Sequence, residues 1–279
     1  MPKKIGHFKS HAYLLRQYAI QYCYSGSLCW ELSRKSHTRL LKPSLLSMAP
    51  DFKGHSLGLG TLYNNKVEAA KLGKLWGAKV LTGHAANLGA FVQLAPHYSI
   101  LHLATHGKYF RDVDNYSALA FAEQKDTLSN DYLYTRDLYA LRLPTELVVL
   151  SACETGIGDY HQGEGIISLA HGFIHAGAKS VVTTLWSVDD ARTADIVVDF
   201  FQKLKKGQKK HIALQQAKLD LLHNRPHDEV HPYYWSGLIG VGATQALCSP
   251  HQLVWGMGIF LSLIVAIIWT VRIYLRKFK

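Results

Sequence analysis

The sequence predicts an α/β protein, an open and mostly parallel β-sheet with helices on both faces, followed by one C-terminal transmembrane helix. Three observations lead there. Short continuous apolar runs, ILHLA at 100–104, LVVL at 147–150 and SVVTTLW at 180–186, read as strands buried on both faces. Stretches of helical period alternate with these runs, as they do when crossover helices join parallel strands. Near the C-terminus, residues 253–271 form an uncharged run of about bilayer thickness.

In chain order, 18–23 (YAIQYC) is a short strand candidate ended by a Ser-Gly-Ser turn, and 28–41 is a basic helix-like stretch. Residues 64–76 carry Val67, Ala70, Leu72 and Leu75 on one helical face. A brief strand at 78–81 follows, and Asn87 is placed to cap a helix running to residue 94. After the strand at 100–104, residues 111–135 read as irregular, with an extra strand at 119–122 and a short helix at 136–141. The strand at 147–150 precedes a helix of small residues over 165–176, closed by Gly177. The strand at 180–186 leads to an amphipathic helix over 189–204 with acidic residues in its first turn, where the helix dipole favours them, and a last helix spans 211–223.

Composition bounds the function. The chain has 279 residues with 48% apolar content, enough for a sizeable core, which excludes intrinsic disorder as its main state. The net charge of +11 sits at the two ends. Residues 1–50 hold eight basic groups against one acidic, residues 252–279 hold four against none, and residues 51–251 balance at nineteen each. A neutral centre disfavours a phosphate-binding surface, so no nucleic-acid partner is expected. Four scattered cysteines, Cys23, Cys29, Cys153 and Cys248, with no CxxC pair, fit neither a disulfide scaffold nor a zinc knuckle.

The uncharged run at 253–271 spans roughly 28 Å as a helix. Trp255 and Trp269 lie near its ends, and a basic tail, 272–279, stops it. A membrane-anchored, single-pass protein is expected. The positive-inside rule keeps the tail cytoplasmic and would put the globular part across the membrane. No apolar export signal follows Met1. Either the chain is tail-anchored with a cytoplasmic domain, or it is the C-terminal part of a longer product.

Several motifs fail on context. GHSLG at 54–58 matches GxSxG but lacks the strand before and the helix directly after that a nucleophile elbow needs. The broken glycine fingerprints at 58–60 and 156–158 lack the third glycine. His223, His227 and His231 are spaced four apart, but Pro226 interrupts that helix, so no metal site is expected.

One constellation survives. ILHLATHG at 100–107 and LVVLSACETG at 147–156 each run from a buried strand through small residues to a reactive one. Ligands of open parallel sheets bind at the carboxyl ends of the strands, so neighbouring strands would bring His106 and Cys153 to one edge. A thiol needs such a neighbour to react as thiolate, and the imidazole can return the proton to an amine leaving group. The N–H groups of Gly107 and Cys153 are candidates for an oxyanion hole. Taken singly, a Cys after a buried strand is a small core hydrophobe and a His there is a turn residue.

These runs, with GIGDYHQGEGIISLAHGFIHAGAKSVVTTLWSVDDARTADIVVDFF to residue 201 and HPYYWSGLIGVG at 231–242, resemble the CHAT domain, a relative of caspases, separases and gingipains. APDF at 49–52, the 64–76 helix and YAIQYCYSGS at 18–27 fit its first half. The resemblance implies a caspase-like fold with the domain core at 51–245, its partial start in the basic segment 1–50, and a cysteine endopeptidase acting on a protein substrate without cofactor or metal. His106 and Cys153 would form the catalytic dyad with Gly107 beside them. In the WSVDD run, Asp190 would be the acid of the P1 pocket and Asp189 an extra neighbour, although helix capping also accounts for both. The strand and turn with which the family begins are missing from residues 1–10, and an upstream helical-repeat sensor region is expected outside this chain. The alternative is a catalytically silent CHAT scaffold that recruits partners at a membrane.

Overall fold

A computed structural model describes residues 8–35, 43–53, 59–110, 116–123, 131–151, 153–154, 164–186 and 190–247. Along the chain run α1 (Gly26–Lys35), β1 (Leu45–Ala49), α2 (Asn65–Trp76), β2 (Lys79–Thr82), α3 (Leu88–Leu94), β3 (Ile100–Leu103), β4 (His106–Phe110), β5 (Tyr116–Ala120), β6 (Tyr132–Tyr134) and α4 (Thr135–Leu138). Then follow β7 (Leu147–Leu150), β8 (Cys153–Glu154), α5 (Glu164–His175), β9 (Ser180–Thr184), α6 (Asp190–Lys205), α7 (Lys210–Asn224) and β10 (Leu238–Gly242).

Six strands form the main sheet in the order β10-β9-β7-β3-β1-β2, parallel except for β10, which runs antiparallel to β9. Alternation along each strand divides the core. Leu147 and Val149 pack with Phe200 and Phe201 of α6 on one face, whereas Val148 and Leu150 pack with Phe91 of α3 and Phe173 of α5 on the other. Both faces are therefore covered, as the continuous apolar strands require. A smaller sheet, β6-β5-β4-β8, stands beyond the main one. Its pairs are antiparallel except β4 with β8.

Local signals placed most boundaries correctly. Asn87 caps α3, its side chain accepting from the Ala90 N–H at 2.9 Å. Gly177 closes α5 at φ 116°, and a Cβ there would also meet the Leu143 carbonyl at 2.9 Å. The short helix expected at 136–141 is α4, one residue earlier at its start and ending at Leu138.

Two strands of the main sheet escaped the sequence pattern, as did β4, β6 and β8 of the smaller one. In β1, Ser47 breaks the apolar run, yet the strand lies in the sheet interior between β3 and β2. In β10, glycines replace the expected β-branched residues. Conversely, the strand candidate at 18–23 contributes a single parallel bridge, Tyr22 to Val241. Residues 253–271 lie outside the described residues; among those described, no helix is long and apolar enough to cross a membrane.

Candidate active site

β3 and β7 are paired with Leu103 opposite Leu150. Both chains then leave the main sheet and step the same distance into the smaller one. Ser151 still donates its N–H to the Leu103 carbonyl at 3.0 Å, and the Thr105 hydroxyl anchors the crossing on the Ala120 carbonyl. The register is carried across: His106 opens β4 directly opposite Cys153, which opens β8, and Gly107 lies opposite Glu154. Parallel neighbours stand roughly 4.8 Å apart, so the backbones of the two reactive residues are adjacent. The sequence expectation of residues past two strand ends of one sheet is thereby refined. Both residues begin strands of a second sheet, and Gly107 is also paired with Leu119 of β5.

His106 is only 2% exposed. Its Nε2–H donates to the Gly60 carbonyl at 2.6 Å, and its ring packs on Phe52 with centroids 4.7 Å apart. A carbonyl only accepts, so this bond sets the tautomer and makes Nδ1 the basic nitrogen. Gly60 belongs to the segment leading into α2, and the far end of that segment is held too. The Asn64 N–H donates to Asp190 Oδ2 at 2.7 Å. Asn65 adds Nδ2 bonds to the carbonyls of Pro50 at 2.9 Å and Ala104 at 3.3 Å, joining the ends of β1 and β3.

Asp190 thus stands at the same end of the sheet as His106, in the first turn of α6, half-buried, with one carboxylate oxygen engaged on the approach to α2. Asp189 and the GHSLG run lie outside the described residues. Trp186, ahead of α6, stacks on Tyr233 at 5.9 Å and donates its indole N–H to the Tyr233 carbonyl at 3.0 Å. It lies so close to Gly237 that a Cβ there would meet its ring at 2.6 Å.

Beneath the site lies a polar network that the sequence reading missed. His102 of β3 lies opposite Ser47 of β1 in the sheet. Ser47 Oγ meets His102 Nδ1 at 2.8 Å, His102 Nε2 meets Glu68 Oε1 of α2 at 2.8 Å, and the Ser151 hydroxyl donates to Glu68 Oε2 at 3.2 Å. The His102 and Glu68 side chains are fully buried. The serine–histidine–carboxylate order is that of a hydrolase triad, but no substrate reaches it; its role is to join β1, β3, β7 and α2 under the reactive edge. The available signal was a polar residue inside each of two apolar strands, LLSMA and ILHLA, because a buried polar group requires partners.

Among the described residues no group of His, Cys, Asp or Glu is arranged to hold a metal ion. α7 ends at Asn224, and His227 and His231 fall in and beside the short turns that follow, as Pro226 dictates.

The CHAT domain profile matches residues 2–243. The chain belongs to the CHAT family. Tetratricopeptide repeat protein 28 of Mus musculus and of Homo sapiens are 32% and 30% identical to this CHAT domain over 122 residues. That stretch is 44% of this chain and 5% of the relatives' length, so the chain corresponds to a small part of them. The Saccharomyces cerevisiae separase in its securin complex is similar over 81% of this chain and 14% of its own, with a TM-score of 0.50 at 10% identity, which supports a shared fold. Gingipain R, an Arg-specific cysteine proteinase, gives 0.48 at 9% identity over 80% of this chain and 52% of its own. Spodoptera frugiperda caspase-1 gives 0.45 at 11% over 78% and 95%. The CHAT domain therefore has a mixed α/β fold with a largely parallel central sheet, a fold it shares with separase.

Proposed function

We propose that this CHAT domain is a cysteine endopeptidase in which His106 and Cys153 act as a dyad on a protein substrate. The observation that carries the reading is the register of β4 and β8, with His106 opposite Cys153 and the imidazole held from behind by the Gly60 carbonyl. His106 Nδ1 takes the thiol proton. The thiolate attacks the scissile carbonyl, forming a C–S bond and an oxyanion that the Gly107 and Cys153 N–H groups are candidates to receive. Nδ1 returns the proton to the leaving amine as the C–N bond breaks. Water, deprotonated by the same nitrogen, then attacks the thioester; the C–S bond breaks and Nδ1 returns the proton to the departing Cys153 sulfur. The Gly60 carbonyl accepts from Nε2–H throughout and favours the imidazolium that forms between these steps.

In the same reading Asp190, with Asp189, recognises a basic P1 residue; its place beside the segment that carries Gly60 supports this. Residues 253–271, uncharged and followed by a basic tail, anchor the domain to a membrane with the tail cytoplasmic. A helical-repeat region working with the domain fits the name of the relatives, tetratricopeptide repeat protein 28.

The test is labelling of the full chain with a peptide bearing a thiol-reactive electrophile after Arg. Labelling at Cys153 that His106→Ala suppresses and excess peptide competes away is expected. Labelling elsewhere, or peptide cleavage at the wild-type rate by Cys153→Ala, removes the dyad.

A further inference from the structure

At the β10 edge of the main sheet lies a half-open cavity of about 300 Å³, bordered by the N-terminal segment, α7 and the start of β10. Its size is at the lower end for small-molecule sites. The walls are largely apolar, with Leu15, Leu214, Trp235 and Ile239 among them. Polar side chains interrupt them: Tyr22, His211, Gln215 and Ser236, and with them Lys218 and Tyr13. Lys218 of α7 lines the cavity and is 8% exposed. Burial pushes its pKa down to about 8, and no charged neighbour contributes. The Tyr13 hydroxyl is buried with no hydrogen-bond partner, while its ring packs edge-on against Trp235 at 5.0 Å. Among the described residues that line the cavity, none is acidic.

A buried ammonium without a counter-charge is costly, and so is a buried hydroxyl without a partner. At this position of α7 a methionine would fill the same space without either cost. Lys218 and Tyr13 line the same cavity among apolar side chains.

We propose that this cavity binds a small organic acid, its carboxylate received by Lys218 and the Tyr13 hydroxyl and its apolar body lying against Leu214 and Trp235. The carboxylate supplies the charge that Lys218 lacks and accepts from the phenol, and the body displaces water from the walls. This site is separate from the dyad, and its test does not depend on peptidase activity.

The probes are 4-phenylbutyrate and indole-3-acetate, each compared with its neutral alcohol, 4-phenylbutan-1-ol and tryptophol. Binding to the full chain is read by saturation-transfer NMR and titration calorimetry. Each acid is expected to bind at least tenfold more tightly than its alcohol. Lys218→Met should remove that preference while leaving alcohol binding in place, and Tyr13→Phe, which keeps the ring, should weaken acid binding severalfold. Equal binding of acid and alcohol, no binding of either acid at millimolar concentration, or an unchanged acid preference in Lys218→Met overturns the proposal and leaves Lys218 solvated by cavity water. If Lys218→Met fails to fold, unchanged acid binding by Tyr13→Phe overturns it equally.

Discussion

His102 and His106 stand four residues apart in ILHLATHG, and both are buried, yet they belong to regions with different tasks. His102 is inside the main sheet, held by Ser47 on one ring nitrogen and Glu68 on the other. His106 opens the smaller sheet, held on Nε2 by Gly60 and placed opposite Cys153. The first histidine ties strands together under the edge; the second, in the proposed dyad, exchanges a proton at it. Residue type and local sequence barely separate them. What separates them is the crossing at Ala104 and Thr105, which moves the chain from one sheet to the next.

Substitution should break the two regions in different observables. The largest effect belongs to the smaller sheet. His106→Ala or Cys153→Ala is expected to lower peptide cleavage by a thousandfold or more, on the order seen when one member of a catalytic unit is lost, while the unfolding midpoint in urea stays close to wild type. Next is the main sheet. Glu68→Ala leaves His102 and Ser151 buried without their partner and should cost about 3–5 kcal/mol in urea unfolding, the usual result of breaking a buried pair. Glu68→Gln keeps an acceptor for His102 and should cost less. If Glu68→Ala were neutral in stability, the network would not be the fastening described.

A smaller effect tests whether Asp190 belongs with the site or only with the fold. Removing a charge-assisted contact costs about 1.5–3 kcal/mol, so Asp190→Ala should slow cleavage after Arg roughly ten- to a hundredfold more than cleavage after Leu. Equal losses on matched fluorogenic peptides would assign Asp190 solely to the Asn64 N–H.

The smallest effect compares two lysines of α7. Lys210 and Lys218 are both buried, and burial lowers both to about 8. Lys210 donates to the Glu146 carbonyl at 2.8 Å and lies near the Glu146 carboxylate, which raises its pKa, and Lys179, which lowers it; burial is the only influence on Lys218. For a lysine lowered on folding, the unfolded chain holds a proton that the native chain lacks between pH 8 and the ordinary lysine range. Stability should therefore rise with pH across that window, and the cost of burying the charge is fully present below it. Lys218→Met should diminish the rise between pH 8 and 10 and stabilise the protein at pH 7 by about 1 kcal/mol. Lys210→Met, which strips a donor from Glu146, should destabilise it. Urea unfolding at a series of pH values reads both, and a common sign for the two substitutions would erase the distinction.

Much of this was legible before folding was considered. The buried strands β3, β7 and β9 announced themselves because a two-sided sheet needs uninterrupted apolar runs, and Asn87 and Gly177 marked helix ends through capping and left-handed geometry. His106 and Cys153 were visible as reactive residues after such strands. Strand β1 was not, because Ser47 looks like a flaw in an apolar run until His102 arrives opposite it from 55 residues away. Strand β10 was hidden by Gly240 and Gly242, and Gly237 just before it makes room for Trp186.

The sequence by itself determined the α/β fold class and the family, and it singled out His106 and Cys153 as the candidate pair, since periodicity and residue chemistry are local properties. Tertiary structure decided the register of His106 with Cys153, the tautomer imposed by Gly60, the contact that engages Asp190, and the pairing of Glu68 with His102 and not with solvent. It also decided that Lys210 has a partner and Lys218 faces a cavity. Each of these depends on which distant groups meet when the two sheets and their helices close, and a buried polar group takes its role from the partners it finds there.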